Sequence, residues 1–115
     1  MSKSEDLVWK ALSDPTRRAI LDQLAEQPQL TGDLCAHFGR KRYGGLGRTT
    51  VMKHLDVLER AQLVIQRREG RHRWNHLNPV PIQRVCDRWV SRLVRGLARS
   101  ANRLKDLVEE QTGDD

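Results

Sequence analysis

Arg48, Thr49, Thr50, Met52 and Lys53 gather two cations, two hydroxyls and a thioether within six consecutive positions. Hydroxyls and cationic nitrogens hydrogen-bond to base edges and phosphate oxygens, so the stretch is equipped for nucleic-acid contact rather than for making or breaking bonds. Arg67, Arg68, Arg71, His72 and Arg73 form a second cationic group around one glycine, and Arg40, Lys41 and Arg42 form a third. Across 40–73, ten Lys or Arg residues face only Asp56, Glu59 and Glu69, a net charge of +7 in a chain whose total is +6. A neutral body with one basic third is the charge pattern of a protein that docks a polyanion through one surface. No basic amphipathic helix with a wide apolar face overlaps this segment, which favours nucleic acid over a membrane.

Other chemistry lacks its parts. There is no glycine-rich phosphate loop followed by lysine and a hydroxyl residue, no serine nucleophile motif and no carboxylate pair in a cleft-forming pattern. Cys35 and His37 come nearest to a nucleophile and base, without a third group to orient them, so the chain reads as no enzyme and implies no cofactor. Asp33, Cys35 and His37 echo the spacing of a metal site, but residues two apart point away from each other on a helix, so no metal centre is expected. Cys35 and Cys86 are too few for a disulfide framework and read first as small apolar side chains.

The 115 residues allow one domain around one core. No apolar run approaches the roughly 20 residues of a membrane span, and the N-terminus lacks the apolar centre of a signal peptide, so a cytoplasmic chain is expected.

The spacing predicts a first helix over 5–12, with Leu7, Val8, Ala11 and Leu12 on one side. Ser13-Asp14-Pro15 ends it and begins the next, since Asp14 can accept from free amides and Pro15 suits the first helical position. Thr31 is expected to cap a short helix over 32–38, with Gly39 as its stop. Val51, Leu55 and Leu58 recur at i, i+4 and i+7, predicting a helix over 48–61 whose outer face carries Thr49, Met52, Lys53, Asp56 and Arg60. Asp56 would be repelled by phosphate unless Lys53 or Arg60 neutralises it, or it could accept from a cytosine amino group. Two strands, 63–68 and 71–77, joined at Glu69-Gly70, predict a basic-tipped hairpin. Over 81–109, Ile82, Val85, Trp89, Leu93, Leu97, Leu104 and Val108 approach coiled-coil spacing. A helix of ~40 Å exceeds what a small domain covers alone, which calls for a partner helix from a second copy. The expected fold class is mainly α with a small β-hairpin: one winged helix-turn-helix domain over 1–115, with 81–109 as a terminal dimerisation helix.

The run from Trp9 to Leu21, then Thr50-Val51-Met52-Lys53-His54-Leu55, Leu58 to Val64, Arg68-Glu69-Gly70-Arg71 and Leu77-Asn78-Pro79 resembles the ArsR family of bacterial regulators. The resemblance covers most of the chain and implies a dimeric winged-helix transcription factor, usually a repressor on a palindromic operator that often controls its own transcription unit. It implies recognition through the helix over 48–61, a wing over 64–77, and a dimer built from the first and last helices, with Leu7, Val8, Val85, Trp89, Leu93, Leu97 and Leu104 as interface residues. The segment 40–45 departs from it, lengthening the turn before the recognition helix by about six residues and leaving the start of that helix open. Its cations could clamp phosphate, or the insertion could be a flexible loop without fixed contacts. Relatives with a metal site in the last helix use histidines and carboxylates that this chain lacks there. Some relatives link a cysteine of the N-terminal helices to one of the last helix, an arrangement that Cys35 and Cys86 could mimic.

The expected partners are double-stranded DNA and a second copy of the chain, with no membrane; a small-molecule or thiol inducer is not identified by the sequence. The rival reading is an RNA-binding or protein-interaction module using the same basic face. Arg84, Arg88, Arg92, Arg95, Arg99 and Arg103 leave room for it, although a solvated helix face accounts for them as well.

Overall fold

The computed structural model describes residues 2–113. Contacts group the chain into two units, Met1–Ile82 and Gln83–Asp115.

In the first unit, the boundaries of the first two helices are set by side-chain caps. Helix α1, Lys3–Leu12, starts at Ser2, whose hydroxyl accepts from the Glu5 amide at 3.2 Å. Helix α2, Pro15–Glu26, starts as the sequence predicts: the Asp14 carboxylate accepts from the Thr16 and Arg17 amides at 2.8 and 3.2 Å. The corner between the two helices is closed by arginines. Arg17 donates to the carbonyls of Ala11 and Lys10 at 2.8 and 2.7 Å, and Arg18 to that of Leu12 at 2.7 Å. These carbonyls belong to the last turn of α1 and have no partner within the helix, so α2 caps the helix before it.

Strand β1, Gln29–Leu30, leads into helix α3, Thr31–Gly39. Here the expected cap is wrong. Leu30 holds the capping position without a side-chain bond. Thr31 lies inside the first turn, buried, and its hydroxyl accepts from the Asn75 amide at 2.9 Å. Helix α4, Arg48–Arg60, buries Val51, Leu55 and Leu58, as their spacing requires. It ends in a Schellman motif, with the Leu63 amide on the Leu58 carbonyl at 3.0 Å and the Gln62 amide on that of Glu59 at 2.9 Å. Gln62 takes the left-handed conformation, φ 64°, that the motif usually gives to glycine.

Strands β2, Val64–Glu69, and β3, His72–Leu77, form the expected hairpin, with Glu69 opposite His72 and Gly70 at φ 62° in the two-residue turn. Glycine takes this backbone without steric penalty, as a tight hairpin turn needs. The hairpin also gains a partner that the periodicity did not reveal: β1 pairs with β3 through Gln29–Asn75 and Leu30–Trp74, giving a three-stranded antiparallel sheet in the order β1-β3-β2. The core gathers Ile20, Leu24, Leu34, Phe38, Val51, Leu55, Leu58 and Leu63 from the helices and the start of the sheet.

In the last third, helix α5, Val80–Val85, passes through a π-turn, Cys86–Val90, into helix α6, Ser91–Gly113. The single regular helix expected over 81–109 is therefore interrupted, because the Ser91 amide bonds to the Cys86 carbonyl five residues back. A π-turn carries an additional residue, so Ile82 and Val85 do not continue the straight stripe that starts at Leu93.

Candidate nucleic-acid interface

Burial of Val51, Leu55 and Leu58 turns the opposite side of α4 outward. Arg48, Thr49, Thr50 and Lys53 are exposed there, in the first two turns. Met52 is half-buried against the core, so it presents only part of its side chain. A groove of about 520 Å³ runs between the start of α3, the start of α4 and the hairpin tip, and Arg48, Met52, Arg71, His72 and Arg73 line it together with Asp33. The sequence-predicted helix and wing groups thus meet across one concave surface. Thr49, Thr50 and Lys53 stand outside the groove, as do Arg67 and Arg68 on β2.

The loop after α3 is built rather than loose. Lys41–Tyr43 forms a short 3-10 turn, and the Leu46 amide returns to the Phe38 carbonyl at 2.8 Å. Gly44 and Gly45 adopt φ 114° and 63°, which the turn needs and other residues resist. Tyr43 stacks on His37 with ring centres 4.2 Å apart and planes 20° from parallel. Arg40, Lys41 and Arg42 are exposed on this loop, and α4 starts at Arg48 despite the longer connection.

Several contacts set the position and charge of α4. Arg17 lies 3.2 Å from Nδ1 of His54 through its guanidinium nitrogen. One guanidinium thus joins α1, α2 and α4. Burial raises the Asp14 carboxyl, but the amides of Arg17 and Thr16 and the charges of His54 and Arg17 outweigh it and leave the group below its ordinary value. Asp56 pairs with Arg60 at 3.1 Å, so Arg60 is the neighbour that offsets the carboxylate on the groove-facing helix. Both are exposed, and such a pair contributes little stability. Glu59 is raised by burial and by repulsion from Asp56, against the pull of Arg73 on β3.

Sequence reasoning overlooked Asn75, which is fully buried at the centre of β3. Its side-chain nitrogen donates to the Gln29 carbonyl at 3.1 Å and to the Thr31 hydroxyl, and its oxygen accepts from Gln66 at 2.8 Å. The network fastens β1, β2, β3 and the start of α3 together, holding the wing on the helical body. The only sequence signal was a polar residue in an otherwise half-buried strand.

Cys35 is buried in the core, Cys86 is exposed in the π-turn, and both thiols are free. Among the described residues no three His, Cys, Asp or Glu side chains are grouped to hold a metal ion. Asp33 lines the groove, Cys35 faces the core and His37 packs against Tyr43. Of the residues expected at a dimer interface, Val8 and Val85 are buried within one copy and Leu7 packs on the core. Trp89, Leu93, Leu97 and Leu104 are exposed. Among the described residues, no helix is long and apolar enough to cross a membrane.

A family model described as a helix-turn-helix domain matches residues 12–67. The chain is 37% identical over 91 residues to the uncharacterized HTH-type transcriptional regulator YuzN of Bacillus subtilis, covering 78% of this chain and 99% of that one. It is 34% identical over 76 residues to the transcriptional repressor SdpR of the same organism, covering 66% and 78% of the two chains. The crystal structure of an ArsR family transcriptional regulator superposes with a TM-score of 0.71 at 25% identity, covering 84% of this chain and 92% of that one. A homodimeric winged helix-turn-helix DNA-binding domain of Mycobacterium bovis, described as a possible ArsR-family regulator, gives a TM-score of 0.59 at 26% identity, over 85% and 81% of the chains. With this sheet, this helix order and these relatives, the chain belongs to the ArsR family of winged helix-turn-helix transcriptional regulators, DNA-binding proteins rather than enzymes.

Proposed function

We propose that this protein is a homodimeric repressor that occupies a palindromic operator, its own promoter among the sites. The groove between α4 and the hairpin carries the reading, because it places Arg48 and Met52 beside Arg71, His72 and Arg73 on one surface. A recognition helix entering the major groove would bring Arg48, Thr49, Thr50, Met52 and Lys53 to base edges and nearby phosphates. The hairpin would then hold the neighbouring backbone through Arg67, Arg68, Arg71, His72 and Arg73. Arg40, Lys41 and Arg42 extend the same positive field before α4.

The helix over 81–109 serves as the dimerisation element, with the exposed Leu93, Leu97 and Leu104 of α6 covered by a second copy. Two recognition helices would then meet half-sites about one helical turn apart, roughly 34–36 Å. Repression by SdpR and the homodimer of the M. bovis domain support this reading by similarity.

The test is fluorescence anisotropy, across a salt series, on the duplex upstream of the protein's own coding region and on a random duplex, followed by footprinting. A protected palindrome bound at least about 1,000-fold more tightly than random DNA is expected, the low end for specific regulators. Equal, steeply salt-dependent binding to both duplexes would overturn self-regulation through this site.

A further inference from the structure

The sum of charges over the whole chain conceals a second basic segment. Arg84, Arg88, Arg92, Arg95, Arg99 and Arg103 recur every third or fourth residue, and Asp87 is the one acid among residues 84–103, which therefore carry +5. Acids before residue 40 and after residue 104 cancel this in the total, so the expectation that the excess charge lies in 40–73 alone is too narrow.

Within α6, Arg92, Arg95, Arg99 and Arg103 fall within about 80° of one another around the axis. All four are exposed, and the described residues place no carboxylate within salt-bridge distance of them. The exposed apolar residues Leu93, Leu97 and Leu104 lie toward the other side of the helix. Three of the arginines, Arg92, Arg95 and Arg99, share one shallow depression of about 380 Å³ beside Trp89.

We propose that this arginine stripe is a second DNA-binding surface, separate from the recognition helix and the hairpin, which grips the phosphodiester backbone of duplex DNA without regard to sequence. Every cation of the stripe is an arginine, whose guanidinium fork matches phosphate oxygens two at a time. From Arg92 to Arg103 the stripe extends about 16 Å at the helical rise, a length over which one DNA strand presents about five phosphates. Trp89 and Leu93 line the depression with Arg92, Arg95 and Arg99, and the regular spacing of the guanidinium groups matches a repeating phosphate chain better than the irregular carboxylates of an acidic peptide. A bilayer would have to bury the opposite, apolar face, which a second copy covers in the proposed dimer. A regular, rigid polyanion is the partner left. The stripe does not depend on the dimer: a second copy lying on the apolar face would leave it free.

The test replaces Arg92, Arg95, Arg99 and Arg103 together by glutamine in the full-length protein, which removes charge while keeping a good helix former. Circular dichroism and light scattering establish that helicity and mass are unchanged. On a random duplex of about 40 base pairs, the slope of log affinity against log salt should fall by about 3 to 4, near 0.9 for each phosphate no longer neutralised. Preference for an operator over random DNA should stay within about twofold, and the corresponding lysine variant should recover the slope. An unchanged slope and affinity in the folded glutamine variant would overturn the proposal. So would an unchanged DNA slope accompanied by lost binding to vesicles containing phosphatidylserine, or to polyglutamate, and either result would name the other partner. Absence of any operator preference together with the expected fall in slope would instead count against the repressor reading and leave the stripe standing.

Discussion

Asn75 shows what a single residue can fix. Its side chain reaches Gln29, Thr31 and Gln66, so the wing and the start of α3 share one buried polar knot. Replacing Asn75 by leucine should cost about 1–3 kcal/mol in urea unfolding, because the Thr31 hydroxyl and the Gln29 carbonyl lose a partner inside the protein. A variant as stable as the wild type would show that water can fill the role. Two of the partners lie 44 and 46 residues away, a separation that no local pattern of residue types can signal. Asp14 is the opposite case, legible at once because its partners are its immediate neighbours. Its carboxyl titrates lower in the folded chain than in the unfolded one. The resulting stability is present above the unfolded value and is lost as pH falls through the lower, folded value. Asp14→Ala should cost about 1 kcal/mol near neutral pH. Its urea midpoint should converge on that of the wild type in acid; a constant gap from about pH 6 to about pH 2 would contradict the titration argument.

At the scale of elements, α4 was readable because three apolar residues at helical spacing define its buried side. Its start at Arg48 also survived the inserted loop. The loop itself was not readable, since its order comes from Tyr43 on His37 and from the Leu46 amide on α3, contacts that no periodicity encodes. The π-turn was hidden for a similar reason: nothing in the residue types of Cys86–Val90 distinguishes it from regular helix. The end of α4 invites a direct check. Gln62 occupies a left-handed position at φ 64°, where a side chain costs about 1 kcal/mol that glycine avoids. Gln62→Gly should raise the melting temperature by a few degrees, corresponding to up to about 1 kcal/mol. A lower melting temperature would mean that the Gln62 side chain contributes more than its backbone strain removes.

For the whole molecule, hydrophobic spacing indicated a mainly α fold and the hairpin, and the charge distribution marked the basic surface. The sheet's third strand was missed because β1 is two residues long, and the arginines of the last helix were seen without their net charge, which cancels in the sum. The exposed apolar residues of α6 underlie the proposed dimer, so Leu93→Glu should reduce the mass seen by light scattering to that of one chain. An unchanged dimer would place the interface elsewhere. The proposed function divides the labour of DNA binding, with α4 reading sequence and the hairpin gripping the backbone. Operator and random-duplex affinities of Lys53→Ala and Arg71→Ala, measured across a salt series, separate the two roles. Lys53→Ala should lower operator preference by about tenfold, within the roughly 1–3 kcal/mol of a specific contact, while Arg71→Ala should weaken both duplexes alike and reduce the salt slope by about 1. Equal losses on both duplexes for the two variants would rule the division out.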